Sequence, residues 1–295
     1  MKTQVLNFEN FLISEKKSSK NTLDSYMRDV NQFYLYCISE KCKSFSLVSA
    51  DFLNKYFENL KVSGKSQSTV TRTVASLRCF FKYLVSVGVM NQNPITKIKS
   101  QKCEKKLPEV LEAGEIVLLL SKPDISDFKG IRDKAMLELL YVTGIKVSEL
   151  IELSLNDVNL QLGILHLHKG NKERIVPIYP GAIKILSNYL QNVRPVIVLT
   201  PNEDKLFTNM NGCKMSRQGF WKIIKYYAEK AGINKEITPN TLRHSFATHL
   251  LENGANLKDI KEMLGHSDIS STQIYAQFIK RKYASSYSKF HPFAK

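Results

Sequence analysis

Apolar and aromatic residues recur at helical spacing through the first ninety residues of the chain. One stripe runs along residues 23–37, a second along 52–60 and a third along 70–84. Spacings of three and four residues are the period of an amphipathic helix. Ser49 stands where it can cap the second helix. With a short opening helix around residues 8–12, the pattern predicts a four-helix bundle.

After residue 106 the pattern changes to helices that are separated by a short alternating segment. Helices are predicted at 131–142, 216–231 and 239–252, since each run is bounded by helix-terminating signals. Gly144 follows the first helix as a left-handed stop, and Thr238 precedes a proline at the start of the third. The second part of the chain is therefore predicted to be mainly helical.

The alternating segment reads as a β-hairpin. Apolar and polar residues alternate over 164–168 and again over 174–178, with the polar run Lys-Gly-Asn-Lys at 169–172 between them. Strict alternation on both sides of a glycine-containing turn is the pattern of two antiparallel strands. The predicted fold class is mainly α with a small β-sheet.

A change in composition divides the chain. Asn93-Pro94 closes the first periodic region, and residues 97–106 hold five lysines before Pro108. This predicts a helical domain at 1–90, a basic linker at 91–107 and a second domain at 108–282. The last residues, 283–295, are too few for a domain and are predicted to be a tail.

The net charge of the chain predicts a binding partner. The chain has 43 Lys and Arg against 27 Asp and Glu, a net charge of +16. Residues 1–106 hold 18 of these cations against 8 acids, whereas residues 107–295 hold 25 against 19. A basic excess of this size predicts a polyanionic partner, with nucleic acid as the leading candidate.

The cysteines and apolar runs argue against a disulfide-stabilised, zinc-binding, membrane-spanning or secreted protein. The five cysteines include no CxxC pair and are odd in number, which favours reduced thiols over a disulfide framework or a zinc site. Apolar runs such as 116–120 are far shorter than the roughly 20 residues of a membrane helix. Asn7, Glu9 and Asn10 interrupt any signal-peptide pattern. We expect a cytoplasmic, nucleoid-associated protein that has no membrane partner and no metal.

Four short stretches carry the candidate chemistry. They read TGIKVSEL at 143–150, HKGNKER at 168–174, TPNTLRHSFATH at 238–249 and LGHSDISSTQIY at 264–275. In this order and spacing they resemble the tyrosine recombinase (phage integrase) family, and its Xer-like branch in particular, over nearly the whole chain. The resemblance implies a helical SAM-like core-binding bundle followed by an α+β catalytic domain, which clamp opposite faces of a DNA duplex.

The resemblance assigns a role to each matching residue. Tyr275 matches the nucleophile that forms a 3′-phosphotyrosyl link, and Arg243 matches an arginine that grips two phosphate oxygens. Lys169 matches the general acid for the departing 5′-oxygen, and His266 matches a histidine that bonds the phosphate or the tyrosine. The phosphotyrosyl link conserves the bond energy, so no cofactor is expected.

Two positions depart from the family pattern. Lys146 stands where the family has its first arginine, and Asn240 stands where it has a histidine or lysine. Lysine keeps the charge but lacks the planar, two-pronged guanidinium, and asparagine supplies neither charge nor a proton. We therefore expect weak or conditional strand cleavage.

The same resemblance implies extended contact with DNA and an assembly of protomers. In relatives the carboxyl-terminal tail docks on a neighbouring protomer. The resemblance therefore implies a homo-tetramer on two sites or a hetero-tetramer with a second recombinase. Basic and polar residues are the candidate DNA contacts; they are Lys20, Arg28, Lys65, Arg72, Arg78, Lys82, Ser216, Arg217 and Gln218.

Two classes of function follow from the sequence. The first is site-specific recombination, for chromosome dimer resolution or for integration and excision of a mobile element. The alternative is a catalytically impaired DNA-binding paralogue, or a regulatory partner in a mixed tetramer, because Lys146 and Asn240 replace expected groups. A related topoisomerase is a third reading, disfavoured by the amino-terminal bundle and the tail.

Overall fold

A computed structural model describes residues 1–98, 108–169, 172–198, 200 and 203–290. The chain divides into two compact units, Met1–Lys105 and Lys106–Lys295. The linker proposed at 91–107 is described only as far as residue 98, where Pro94–Lys97 forms a 3-10 turn. Residues 291–295 of the proposed tail and the hairpin tip at 170–171 also lie outside the described residues.

Unit 1 is the predicted four-helix bundle. Its helices are α1 (Lys2–Ser14), α2 (Lys20–Ser39), α3 (Ala50–Val62) and α4 (Gln67–Ser86). Ser49 caps α3 as predicted, because its side chain accepts a hydrogen bond from the backbone N–H of Phe52. The opening helix is longer than the predicted 8–12.

Aromatic side chains fill the core of the bundle. Phe33 lies at its centre, with ring centroids 5.1 Å from Tyr56 and 5.8 Å from Phe81. Phe80 lies 5.0 Å from Phe45 in an edge-to-face arrangement. Such pairs contribute about 0.5–1.5 kcal/mol each beyond the burial of their area. The apolar stripes seen in the sequence are therefore the faces that meet in this core.

Unit 2 contains nine helices among the described residues. They are α5 (Ala113–Ser121), α6 (Phe128–Thr143), α7 (Val147–Leu150), α8 (Pro180–Asn188), α9 (Arg194–Ile197), α10 (Arg217–Lys230), α11 (Pro239–Glu252), α12 (Leu257–Leu264) and α13 (Ser270–Phe290). The predicted helices at 131–142, 216–231 and 239–252 are confirmed as α6, α10 and α11, and Gly144 and Thr238 occupy their predicted cap positions. The boundary proposed at 282/283 falls inside α13.

The predicted hairpin is part of a three-stranded antiparallel sheet. Strand β2 (Ile164–Lys169) pairs with β3 (Lys172–Pro177) on one side and with the short β1 (Val158–Asn159) on the other. Strand β1 was not predicted from the sequence. The fold is therefore mainly α with one small sheet, as the pattern indicated.

A buried polar network holds α10 against α6. The guanidinium of Arg132 donates to the carboxylate of Asp133 at 2.6 Å, and the hydroxyl of Tyr227 donates to the other oxygen of that carboxylate at 3.1 Å. A buried carboxylate needs such partners because an unpaired charge in the interior is costly. The network fixes the carboxyl-terminal half of α10, the helix whose opposite end carries Ser216, Arg217 and Gln218.

Within the part of the chain that the structure describes, no helix is both long and apolar enough to cross a membrane. The described residues also contain no group of three or more His, Cys, Asp or Glu side chains placed to hold a metal ion.

Candidate active site and nucleic-acid interface

Arg243 connects the two loops that carry Lys146 and His266. It lies on α11 and is only 4% exposed. Its two terminal nitrogens donate to the backbone oxygens of Gly144 and Leu264, both at 2.6 Å. Gly144 precedes Lys146 by two residues, and Leu264 precedes His266 by two. One guanidinium therefore brings together three of the four sequence motifs.

The local backbone explains why these loops begin where they do. Gly144 ends α6 and Gly265 ends α12, each in the left-handed region with φ near +60°. A side chain is strained in that region. At Gly265 a Cβ atom would also lie 2.6 Å from the guanidinium of Arg174. Glycine at this point lets Arg174 approach the backbone of the His266 loop.

Lys146 and His266 line an open groove of about 1290 Å³. The groove is formed by the start of α7, by β3, by α12 and by the loop after it. Arg174 lies in its wall, and its guanidinium binds Glu149 through two hydrogen bonds of 2.7 and 3.2 Å. It also donates to the backbone oxygen of Met263 at 3.0 Å. The strand that follows Lys169 is thereby fastened to both α7 and α12.

Ion pairing keeps the Glu149 carboxylate charged. Burial raises the pKa of this carboxyl, but the hydrogen bonds from Arg174 and from the Lys146 backbone outweigh burial, so its pKa lies below the ordinary value. The carboxylate thus balances the charge of Arg174 and also accepts from the Lys146 N–H at 2.8 Å. The Glu149 carboxylate thereby fixes the backbone of Lys146, the residue that stands where the family has an arginine.

His266 is a neutral group in this site. Burial lowers its pKa to about 4, and the charges of Arg243 and Lys146 lower it in the same direction. Its Nδ1 atom lies 2.9 Å from the hydroxyl of the buried Thr272. At neutral pH His266 therefore offers hydrogen bonds in the groove rather than a full positive charge.

Tyr275 is on α13 and is 1% exposed. Its hydroxyl forms a hydrogen bond of 3.0 Å with Nδ1 of His244. The resemblance had implied His266 as a partner of either the tyrosine or the phosphate. Burial raises the pKa of the phenol, and the charge of Arg243 acts against that rise. Sequence reasoning did not single out His244, although it follows Arg243 directly in the quoted motif.

Two catalytic candidates remain, Lys169 and Asn240. Lys169 is the last residue of β2 and faces Lys172 across the hairpin in register. Asn240 is exposed in the first turn of α11, three residues before Arg243. The structure thus brings Arg243, Lys146, His266 and Tyr275 into one region. It places Lys169 at the end of β2, the strand that pairs with the groove-lining strand β3.

Most candidate DNA contacts are exposed. Lys20, Arg28, Lys65, Arg78 and Lys82 are exposed in unit 1, and Ser216, Arg217 and Gln218 are exposed around the first turn of α10. Ser216 is the N-cap of that helix, since its hydroxyl oxygen accepts from the N–H of Gly219 at 2.9 Å. Its capping role does not conflict with a DNA contact.

Arg72 differs from the other candidates because it holds a structural ion pair. Its guanidinium binds the carboxylate of Asp29 at 2.7 and 3.0 Å, and Ser76 donates to the same carboxylate at 2.7 Å. Asp29 is 1% exposed. Arg72 therefore neutralises a buried charge between α2 and α4.

This difference yields a prediction for DNA binding. We expect Arg78→Gln to change stability by less than about 0.5 kcal/mol, because Arg78 is exposed, and to weaken DNA binding about equally for all sequences. Arg72→Gln should instead destabilise the bundle by about 1–3 kcal/mol, because it leaves the buried Asp29 carboxylate without its cation and with only the Ser76 hydroxyl of the two partners. Urea unfolding and DNA titration at several salt concentrations measure the two effects. A large loss of stability in Arg78→Gln would contradict the assignment.

Two family models match the chain. The model of the phage integrase family matches residues 109–281, and that of the N-terminal SAM-like domain of phage integrases matches residues 5–88.

Curated relatives match almost the entire chain. Tyrosine recombinase XerD of Staphylococcus epidermidis is 43% identical over 293 residues, which are 99% of this chain and 99% of that protein. Tyrosine recombinase XerD of Listeria innocua is 44% identical over 292 residues, which are 97% of each.

Solved structures show the same fold. The XerA recombinase is 27% identical, with a TM-score of 0.55 over 98% of this chain and 99% of that one. The XerH site-specific recombinase, bound to its palindromic difH substrate after cleavage, is 23% identical with a TM-score of 0.76, over 90% of this chain and 79% of that one.

Proposed function

Because the chain belongs to the phage integrase family, we propose that it is a tyrosine-type site-specific recombinase, which cuts and rejoins DNA strands through a 3′-phosphotyrosyl intermediate. The observation that carries the proposal is the arrangement around Arg243. Its bonds to Gly144 and Leu264 join the loops of Lys146 and His266, while Tyr275 lies close enough for the Arg243 charge to act on its phenol.

The proposed reaction follows from these groups. The Tyr275 phenol gives up its proton to solvent water in the groove as its oxygen attacks the phosphorus. The bond to the 5′-oxygen breaks, and Lys169 gives that oxygen a proton. Charge that develops on the phosphate oxygens is stabilised by Arg243 and Lys146, with a hydrogen bond from neutral His266. A 5′-hydroxyl of the partner strand then reverses the step and releases the tyrosine.

The biological setting is part of the proposal. Similarity to proteins named XerD over nearly the whole chain favours chromosome dimer resolution in the nucleoid over movement of a mobile element. We propose a tetramer on two DNA sites, formed by this chain alone or with a second recombinase. The alternative of an impaired DNA-binding paralogue is not favoured, because relatives at 40–44% identity are recombinases by name.

A nicked suicide substrate tests the function. Genomic fragments that the protein selects by binding are nicked beside the cleavage position, so that a short 5′-hydroxyl strand diffuses away and traps the covalent complex. We expect a complex that survives detergent and whose DNA maps to Tyr275 by mass spectrometry. Sedimentation of the bound complex, alone and with a second recombinase, measures its stoichiometry.

One outcome would refute the catalytic proposal. If the protein binds the selected DNA but forms no covalent complex, even as the double variant Lys146→Arg and Asn240→His, then it is a binding protein. Binding without trapping by the natural chain, followed by trapping in the double variant, would show that the two substitutions limit the chemistry.

A further inference from the structure

Tyr275 is held below the surface by a neighbour that has no role in the reaction proposed above. Its ring packs in a small apolar cluster with Phe246, Ile260 and Leu264. The single hydrogen bond of its hydroxyl that the structure describes goes to Nδ1 of His244 at 3.0 Å, and the two ring centroids are 5.7 Å apart. His244 is on α11 and Tyr275 is on α13, so this bond joins the two helices.

The ionisation of the pair and the tautomer of the imidazole together decide which group donates. Burial lowers the pKa of His244 to about 4, and the charge of Arg243 lowers it further, so the imidazole is neutral at pH 7. The pKa of the Tyr275 phenol is raised by burial, so the phenol keeps its proton. With the neutral imidazole in its Nε2–H tautomer, the tyrosine donates and Nδ1 of His244 accepts. An imidazole with a pKa near 4 is a poor base for a phenol, so acceptance of a hydrogen bond, not of the proton, is its fitting role.

The position of Tyr275 relative to the groove shows what this bond does. Ser271, one turn earlier on α13, lines the groove with Lys146 and His266. Tyr275 itself is almost completely buried. A phosphate in the groove cannot be reached by a hydroxyl that is enclosed and bonded to His244. The nucleophile must leave this position before it can attack.

We propose that His244 is a positioning residue that holds Tyr275 in its buried place by accepting the hydrogen bond of the tyrosine hydroxyl, and so sets how often that hydroxyl reaches the groove. The bond favours the withheld arrangement, and that preference lowers the population of molecules that are ready to cleave. The proposal rests on the proposed function only in taking Tyr275 as the nucleophile.

The same helix supplies a matched control. His249 is also on α11, and its Nδ1 atom lies 3.0 Å from the hydroxyl of Tyr141. That tyrosine lies on α6, beside a separate cavity of about 640 Å³ that His249 also lines. His249→Leu thus removes a bond of the same type and length without touching the groove.

The first test reads the exposure of the tyrosine without any cleavage. Acetylation of phenols by N-acetylimidazole, mapped by mass spectrometry, reports how often each tyrosine hydroxyl is accessible. We expect acetylation of Tyr275 to be roughly two- to tenfold faster in His244→Leu than in the natural chain, as the loss of one hydrogen bond implies. His244→Gln, which keeps an acceptor, should restore slow acetylation, and His249→Leu should leave Tyr275 unchanged.

The second test uses single-turnover cleavage of the nicked substrate at saturating DNA. We expect His244→Leu to cleave faster by a similar factor, with an unchanged Kd for DNA, whereas His249→Leu should match the natural chain. Slower cleavage in His244→Leu at unchanged Kd, or unchanged acetylation of Tyr275, would overturn the proposal. If the natural chain forms no covalent complex, the proposed function fails, while acetylation still decides whether His244 withholds Tyr275.

Discussion

Tyr275→Phe is expected to abolish covalent capture of nicked DNA, with a fall of at least about 10⁴-fold in the rate of trapping. The variant keeps the ring that packs against Phe246 and Leu264 and loses only the hydroxyl that bonds His244. DNA affinity should therefore stay the same, because the removed oxygen is buried. Trapping of suicide substrate and a DNA titration on the same preparation measure both quantities.

Tyr141→Phe is the matched control for this experiment. It removes a hydroxyl that is likewise bonded to a histidine of α11, at the same distance of 3.0 Å, but lies outside the groove. Trapping by Tyr141→Phe should equal that of the natural chain. A covalent complex that persists in Tyr275→Phe would show a different nucleophile, and an equal loss in both variants would indicate damage to the packing of α11.

Lys146→Arg is expected to raise the rate of strand cleavage by about 10- to 100-fold. Removal of one comparable transition-state donor typically costs about 10²–10³ in rate, and a lysine retains part of that interaction through its charge. The backbone of residue 146 is already fixed by the bond to Glu149, so a guanidinium there starts from a defined position at the groove. Single-turnover cleavage at saturating DNA measures the gain.

The control for that gain is a lysine elsewhere in the same groove. Lys261 on α12 also lines it, so Lys261→Arg makes the same chemical change at a different point. It should leave the cleavage rate unchanged within about twofold. Adding Asn240→His to Lys146→Arg should raise the rate further, though less than additively, since groups around one phosphate act together. No gain from Lys146→Arg would mean that the chain is adapted to its lysine.

The bundle could be predicted from the sequence because its helices are amphipathic. Each of α2, α3 and α4 has one buried face and one exposed face, so the apolar stripe shows the period directly. Helix α11 lacks such a stripe, since it buries polar residues such as Arg243, Ser245 and Thr248 as well as apolar ones. Its capping residues predicted it instead. The remaining helices of unit 2, among them α12 and α13 on either side of Gly265 and His266, were not assigned from the sequence.

The sequence predicted candidate residues that the fold brings into one region, but it did not predict how they pair. The motifs named Tyr275, Arg243 and His266 because their spacing matches a family. No spacing shows that the tyrosine meets His244 rather than His266, since α11 and α13 must pack before that contact exists. The Glu149–Arg174 ion pair was not predicted for the same reason, because its two residues are 25 positions apart in the sequence. The nearest sequence signal was that Glu149, Arg174 and His244 all lie inside the four quoted motifs.

Arg72 shows the limit of counting charges. In the sequence it is one cation among six candidates in the first unit, but the fold uses it to neutralise Asp29. The net charge predicted a polyanionic partner. It does not distinguish a cation that pairs with a buried carboxylate from one that faces solvent.

The burial of Tyr275 bears on how such a protein can search a genome safely. A DNA-binding protein meets about 10⁶–10⁹ competing sites and spends most of its bound time on the wrong ones. A permanently exposed nucleophile would risk a break at each of them. The proposed hold of His244 on Tyr275 would let the protein scan without nicking, and would confine breaks to the sites whose binding energy is large enough to free the tyrosine.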